Sequence, residues 1–164
     1  MPIEILQPKP FDLVGSTILI AGNANAFEGQ MTIRVSEGHD EYTGLATVGS
    51  LSTQQFQASI TIPDNHAFQL NRIFVTLIDD SGGGDGVPPP TATVSVLFGP
   101  MIYPGYVGYW EHTVVPGDTL SKISARYYEG DSSQYPAIHQ ANQHIVTNPN
   151  LILPGQVLRI PRDF

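Results

Sequence analysis

The chain contains no cysteine. Disulfides, thiolate nucleophiles and zinc–thiolate sites are therefore excluded, although the absence selects no compartment. Basic residues are scarce, with 7 Lys/Arg against 15 Asp/Glu in 164 residues and a net charge of −8. A nucleic-acid binder needs a cationic face to displace counterions, so no nucleic-acid partner is expected. The imbalance is uneven. Residues 1–100 hold 3 basic and 10 acidic residues, and residues 101–164 hold 4 and 5. The nearly neutral C-terminal part suits a neutral ligand or a protein surface better than a polyanion.

Long apolar runs are missing too. Ile18–Ala21 is far too short to span a bilayer, so no membrane insertion is expected. The opening MPIEILQPKPFDLVGST has no basic n-region and does not read as a signal peptide. Two locations stay open: a particle assembled in the cytoplasm, or the cell envelope after removal of a leader.

Catalytic patterns are also lacking. His39, His66, His112, His139 and His144 show no metal-ligand spacing, and His139 and His144, five apart, diverge on a helix. There is no nucleophile elbow, phosphate loop or dinucleotide fingerprint. Glu111 and Asp118 could only be a glycosidase pair if both flanked one bond, and Asp118 is better used to start a helix. Asp79, Asp80 and Asp85 lack the calcium-loop pattern and its closing Glu. The expectation is a protein without catalysis, cofactor or metal.

What is present begins with β-strand patterns. Ile3–Leu6, Thr17–Ala21, Gln30–Val35, Phe56–Ile62, Ile73–Ile78 and Thr93–Phe98 are short β-rich runs between turn signals, with Leu45–Val48 a weaker one. In Gln30–Val35, Met31, Ile33 and Val35 alternate with Thr32 and Arg34, which buries one face and wets the other. About seven short strands predict an antiparallel β-sandwich over residues 1–98. Asp79–Pro90, DDSGGGDGVPPP, predicts a loop between the last two strands.

The Ile-x-Ile opening, a Pro, the strand Thr-Ile-Leu-Ile-Ala-Gly-Asn-Ala and then Phe27-Glu28-Gly29 resemble the immunoglobulin-like domain of bacterial spore-germination proteins. The resemblance spans roughly residues 3–98 and implies a sandwich accompanying envelope-associated modules, with no catalytic residues. Phe27 is expected to plug the core and Glu28 to hold nearby backbone N–H groups in a turn.

Residues 99–111 read as a Gly/Pro linker. Tyr103, Tyr106 and Tyr109 recur every three residues, with Trp110 adjacent. On an extended polyproline-type segment they would share one face. Such aromatics pack modules together or offer a protein-docking strip.

From His112 the pattern changes. His112–Val115 predicts a strand. Asp118 or Thr119 can cap a helix carrying Leu120, Ile123 and Tyr127 on one stripe, and Gly130 suits its left-handed end. Ser132 or Ser133 can open a second helix with Tyr135, Ile138, Ala141 and Ile145 buried. Val157–Ile160 closes as a strand ended by Pro161. The whole is α+β: a β-sandwich, then a small strand–helix–helix–strand module.

The strand before Pro116-Gly117-Asp118-Thr119-Leu120, Ile123, the Ala141-Asn142 pair and the ending Leu153-Pro154-Gly155-Gln156-Val157-Leu158-Arg159-Ile160-Pro161 resemble a LysM domain over about fifty residues. The resemblance implies binding of N-acetylglucosamine-containing glycan, peptidoglycan or chitin. It implies a groove between the Gly117, Asp118, Thr119, Leu120 loop and the Asn150, Leu151, Ile152, Leu153 loop. The long helix connection Tyr128–Gln134 and the Asn148-Pro149-Asn150 turn are similar to LysM domains of tail and baseplate proteins in contractile phage-like particles. They are also similar to a cytoplasmic potassium-responsive family. Two functions follow as expectations: a glycan-binding protein whose sandwich docks to protein, or a structural adaptor joined to other subunits of a large assembly.

Overall fold

The computed structural model describes residues 3–164. Two compact units meet in sequence between Phe98 and Gly99. The first is almost entirely β, and the second holds the helices longer than one turn.

In the first unit, β1 (Glu4–Gln7), β3 (Thr17–Ala24) and β6 (Gln54–Thr61) form one sheet in the order β1-β3-β6. The second sheet runs β2-β8-β7-β4-β5, from β2 (Leu13–Val14), β4 (Gln30–Ser36), β5 (Glu41–Thr47), β7 (Arg72–Ile78) and β8 (Thr91–Phe98). The alternation legible in the sequence decides the buried faces. Ile18 and Ile20 in β3, Met31, Ile33 and Val35 in β4, and Ile73, Val75 and Leu77 in β7 are all buried. Each such side chain contributes about 1.5–3 kcal/mol by leaving water. Ile60 of β6 lies beneath Gly44 of β5, so the two sheets share packing.

Three expectations need correction here. The pairing is not wholly antiparallel, because β2 runs parallel to β8 through Leu13↔Leu97 and Val14↔Phe98. At two residues, β2 is too short to show a period. Second, β3 does not stop at Ala21 before a turn but continues through Gly22 and Asn23 to Ala24. A side chain at Gly22 would sit 1.9 Å from the Glu4 carbonyl oxygen, so this glycine serves the close approach of β1 rather than a turn. Third, Phe27 is not a core plug, being 84% exposed, and Glu28 is exposed beside it. Phe27→Ser is therefore expected to change the melting temperature of the chain by less than about 2 °C, as exposed substitutions do. A differential scanning measurement showing a larger loss would restore the core role. In the expected loop, Asp79 caps a single 3-10 turn, Asp80–Gly82, by accepting from the Ser81 amide. Asp80 accepts from the Thr32 hydroxyl.

The second unit starts earlier than the sequence suggests. Residues 99–111 are not a linker. Gly99–Ile102 is one helical turn, α1, and β9 spans Gly108–Thr113. The strand therefore begins four residues before His112. β9 pairs antiparallel with β10 (Val157–Arg162), from Val157↔Thr113 to Arg162↔Gly108. Pro161 does not end β10 but pairs in register with Tyr109, which a two-stranded sheet tolerates because both strands are edges. Between them lie α2 (Leu120–Tyr127) and α3 (Tyr135–Ala141).

The core of this unit is Val114, Leu120, Ile123, Ile138, Val146, Leu158 and Ile160, with Trp110, Tyr127, Tyr128 and Ile152 packed against it. Tyr135 and Ile145 were expected in the core and are instead 39% and 44% exposed. Helix α3 ends at Ala141, so its helical period stops short of Ile145, and Val146 fills the core position. The long α2–α3 connection is tied down. The buried Ser124 hydroxyl donates to the Asp131 carbonyl at 2.6 Å, and Asp131 caps the next turn by accepting from the Ser133 amide. Asp131, rather than Ser132 or Ser133, is thus the cap. Gly130 does take the left-handed conformation, φ +93°, and Glu129 before it shares that region at +52°.

Candidate functional site

The two loops singled out in the sequence meet. A groove of about 260 Å³ is lined by Asp118, Thr119, Leu120 and Ser121 from one side, by Pro149, Asn150 and Ile152 from the other, and by Tyr135 at the start of α3. Each loop is held by its own backbone chemistry. Gly117 turns the chain at φ +90°. Thr119 caps α2 by accepting from the Lys122 amide at 3.2 Å, while the Lys122 ammonium donates to the Gly117 carbonyl at 3.0 Å. In the second loop the Asn148 side chain accepts from the Asn150 amide at 2.9 Å, and the Leu151 amide donates to the Asn148 carbonyl. These short-range bonds pre-set the two walls.

The eight loop residues named from the sequence do not play equal parts. Thr119 and Asn150 are exposed in the groove and offer polar groups. Ile152 is half-buried and gives the groove an apolar flank. Leu120 is 3% exposed and belongs to the core. Gly117, Leu151 and Leu153 lie outside the lining, with Leu151 and Leu153 61% and 55% exposed on the flank.

Asp118 is a support more than a contact. Its side chain is 6% exposed. One carboxylate oxygen lies 2.8 Å from His112 Nε2 and accepts from the Val115 amide at 3.0 Å. His112 Nδ1 lies 3.1 Å from the Tyr127 hydroxyl. The arrangement is satisfied when Nε2–H donates to Asp118 and the Tyr127 hydroxyl donates to Nδ1. The His112 bond, the Val115 amide and the nearby Arg126 hold the Asp118 carboxyl below its ordinary 3.8. Glu111 is on β9 and exposed, and it forms no carboxylate pair with Asp118.

Tyr135, Ser121 and Pro149 line the groove and were missed in the sequence. Tyr135 was expected on the apolar stripe of α3, but it is the first residue of that helix, directly after the 3-10 turn Ser132–Gln134, and it lines the groove.

The four aromatics of the expected docking strip do not share a face. Tyr103 stacks on Tyr128 at 5.2 Å and 16°. Tyr106 fills the space left by Gly99, where a side chain would come within 2.3 Å of its ring, and burial pushes its phenol up to about 12. Trp110 packs on Tyr127 at 5.7 Å. Tyr109, the next residue along β9, points to the opposite side and is 39% exposed, beside the Arg159 guanidinium at 5.7 Å. A strand periodicity of two places Tyr109 and Trp110 on opposite sides of β9, and Tyr103 and Tyr106 lie ahead of that strand.

Among the described residues no group of three His, Cys, Asp or Glu side chains could hold a metal ion. No helix among them is long and apolar enough to cross a membrane.

Comparison with known proteins matches two separate stretches of the chain, one within each unit. Residues 2–84, half of it, match the immunoglobulin-like domain of bacterial spore germination. Residues 112–161 match the LysM domain. The chain is 54% identical over 50 residues to a Deinococcus radiodurans protein named only as uncharacterized, a stretch covering 30% of this chain and 19% of that one. It is 48% identical over 52 residues to the potassium binding protein Kbp of Escherichia coli, 32% of this chain and 34% of Kbp. An esterase of Mycobacterium tuberculosis is 47% identical over 60 residues, 37% of this chain and 12% of the esterase. The chain thus spans about a third or less of the curated relatives it matches. No solved structure matches it. The chain belongs to the family of the immunoglobulin-like domain of bacterial spore germination, and its C-terminal unit is a LysM domain.

Proposed function

We propose that this is a non-catalytic binding protein whose LysM domain takes an N-acetylglucosamine-containing glycan, peptidoglycan or a chitin-like chain, in the groove between its two loops. The observation that carries the reading is the convergence of Thr119, Tyr135, Asn150 and Ile152 on one groove. A pyranose presents alternating hydroxyls and C–H faces. Thr119 and Asn150 can bond hydroxyl or acetamido groups, while the Tyr135 ring and Ile152 cover an apolar face.

The test is sedimentation of the whole chain with purified peptidoglycan, with chitin oligomers as competitor. Tyr135→Ala is expected to weaken binding by about 1–2 kcal/mol, roughly tenfold, with little change in melting because the ring is half outside. Asn150→Ala is expected to add to it. No pelleting at high protein concentration would overturn the glycan reading and leave the assembly adaptor in its place.

The β unit, in this reading, docks to protein. Supporting it, Phe27 and Leu51 are 84% and 96% exposed on neighbouring loops, which are joined by the Asn25↔Gly49 bridge.

A further inference from the structure

A second concavity lies in the LysM unit and shares no residue with the loop groove. Its volume is about 330 Å³. Trp110, Tyr127, Tyr128, Tyr103 and Phe164 form its aromatic walls, and Glu129, Asp131, Asp163 and Arg162 supply its charges. Three carboxylates thus face one guanidinium.

Two of those carboxylates are uncommitted. Asp131 is spent on Ser133 and Gln134. Glu129 and Asp163 accept no hydrogen bond and form no ion pair among the described residues, and both are exposed. Arg162 offsets one charge but is engaged elsewhere: its guanidinium lies over the Trp110 ring at 5.3 Å and one of its terminal nitrogens donates to the Phe164 carbonyl. With three carboxylates to one guanidinium the lining is acidic on balance, and burial first, then Asp163 and Asp131, push the Tyr103 phenol above its ordinary value.

We propose that this cleft is a second binding site, for a cationic side chain presented by a protein partner, with arginine preferred over lysine. Aromatic faces attract a guanidinium through their quadrupole, and the planar fork of arginine pairs with carboxylates at the rim. The Arg162–Trp110 contact is the same interaction made within the chain. A bare inorganic cation is a poor fit, because it asks for a cage of oxygens rather than ring faces. The site extends beyond the glycan reading and does not depend on it.

Trp110 is the chain's sole tryptophan and lines the cleft, so its fluorescence reports occupancy directly. The full chain would be titrated with acetyl-Gly-Arg-Gly-amide and with the same peptide carrying citrulline, which keeps the shape and removes the charge. The expected result is a saturable change with the arginine peptide, at least tenfold weaker with citrulline, and diminished in high salt. Glu129→Gln with Asp163→Asn is expected to weaken the response about tenfold while peptidoglycan sedimentation stays as in the parent chain. Both carboxylates are exposed, so the pair should fold normally, and an unchanged melting temperature checks this.

Equal responses to the two peptides, an undiminished response in the double variant, or no saturation at tens of millimolar would overturn the proposal. So would a saturable response to chitin oligomers that the double variant loses, which would make the cleft a sugar site.

Discussion

Asn142→Ala is expected to destabilise the LysM unit by about 4 kcal/mol. The side chain is 1% exposed and makes three bonds. Its amide donates to the carbonyls of Ile138 and Arg159, each at 2.7 Å, and its oxygen accepts from the Arg159 amide at 2.8 Å. It thereby ties the end of α3 to the middle of β10. Truncation leaves an N–H and two carbonyls with no partner in a packed interior, and each orphan costs about 1–3 kcal/mol unless water reaches it. A unit of this size holds on the order of 5 kcal/mol in total, so most of its stability would go. Urea unfolding followed by Trp110 fluorescence reads this unit selectively, since the only tryptophan lies in it. With a slope near 1 kcal/mol per molar, the midpoint should fall by more than about 2 M. A fall below about 0.5 M would mean that water replaces the side chain. Asn142→Asp should fare little better, because a carboxylate has no donor for the two carbonyls.

The second large effect belongs to Asp118. Asp118→Ala removes the acceptor for His112 Nε2 and for the Val115 amide, and His112 is itself 7% exposed. The expected loss is about 3 kcal/mol at neutral pH. It carries a pH signature that Asn142→Ala lacks. The folded-state carboxyl lies below its ordinary 3.8, so its contribution is fully present above that value and disappears as pH falls through the lower, folded value. The difference in stability between the parent chain and Asp118→Ala should therefore narrow only in acid, below about pH 4. A difference that stayed constant from pH 7 to pH 3 would show that the lost stability comes from packing rather than from the charged bonds. Because Asp118 underlies the groove wall that carries Thr119, the same variant should lose glycan binding together with stability, whereas Tyr135→Ala should separate the two.

The Ala141-Asn142 pair marked the LysM resemblance in the sequence, and the structure supplies its physical reason. Ala141 is fully buried, and Asn142 is the bridge just described. Such a residue is legible as part of a motif but not as a job, because its partners lie 4 and 17 residues away and depend on the docking of α3 on β10.

Local information was enough for the elements with a clean period or a clear terminus. The alternation in β4 and β7, a cap at Asp118 or Thr119 and the left-handed Gly130 all follow from side-chain types within a few residues, whereas the two-loop groove was only implied by the LysM resemblance. These signals work because a strand exposes every second residue and a helix start needs a nearby oxygen. Tertiary structure alone decided the rest. The two-residue β2 exists only because β8 offers it a partner. Gly22 and Gly99, which read as turn or linker residues, are needed for the approach of β1 and of the Tyr106 ring. The aromatic stretch from Tyr103 to Trp110 read as part of a Gly/Pro linker, yet β10 recruits its end into a sheet and Tyr128 receives Tyr103. Pairing and stacking partners so far apart in sequence leave no local period. The same reason hid Tyr135 in the expected core and the acidic aromatic cleft altogether: its walls come from residues 103 to 164 and meet only when the unit is folded.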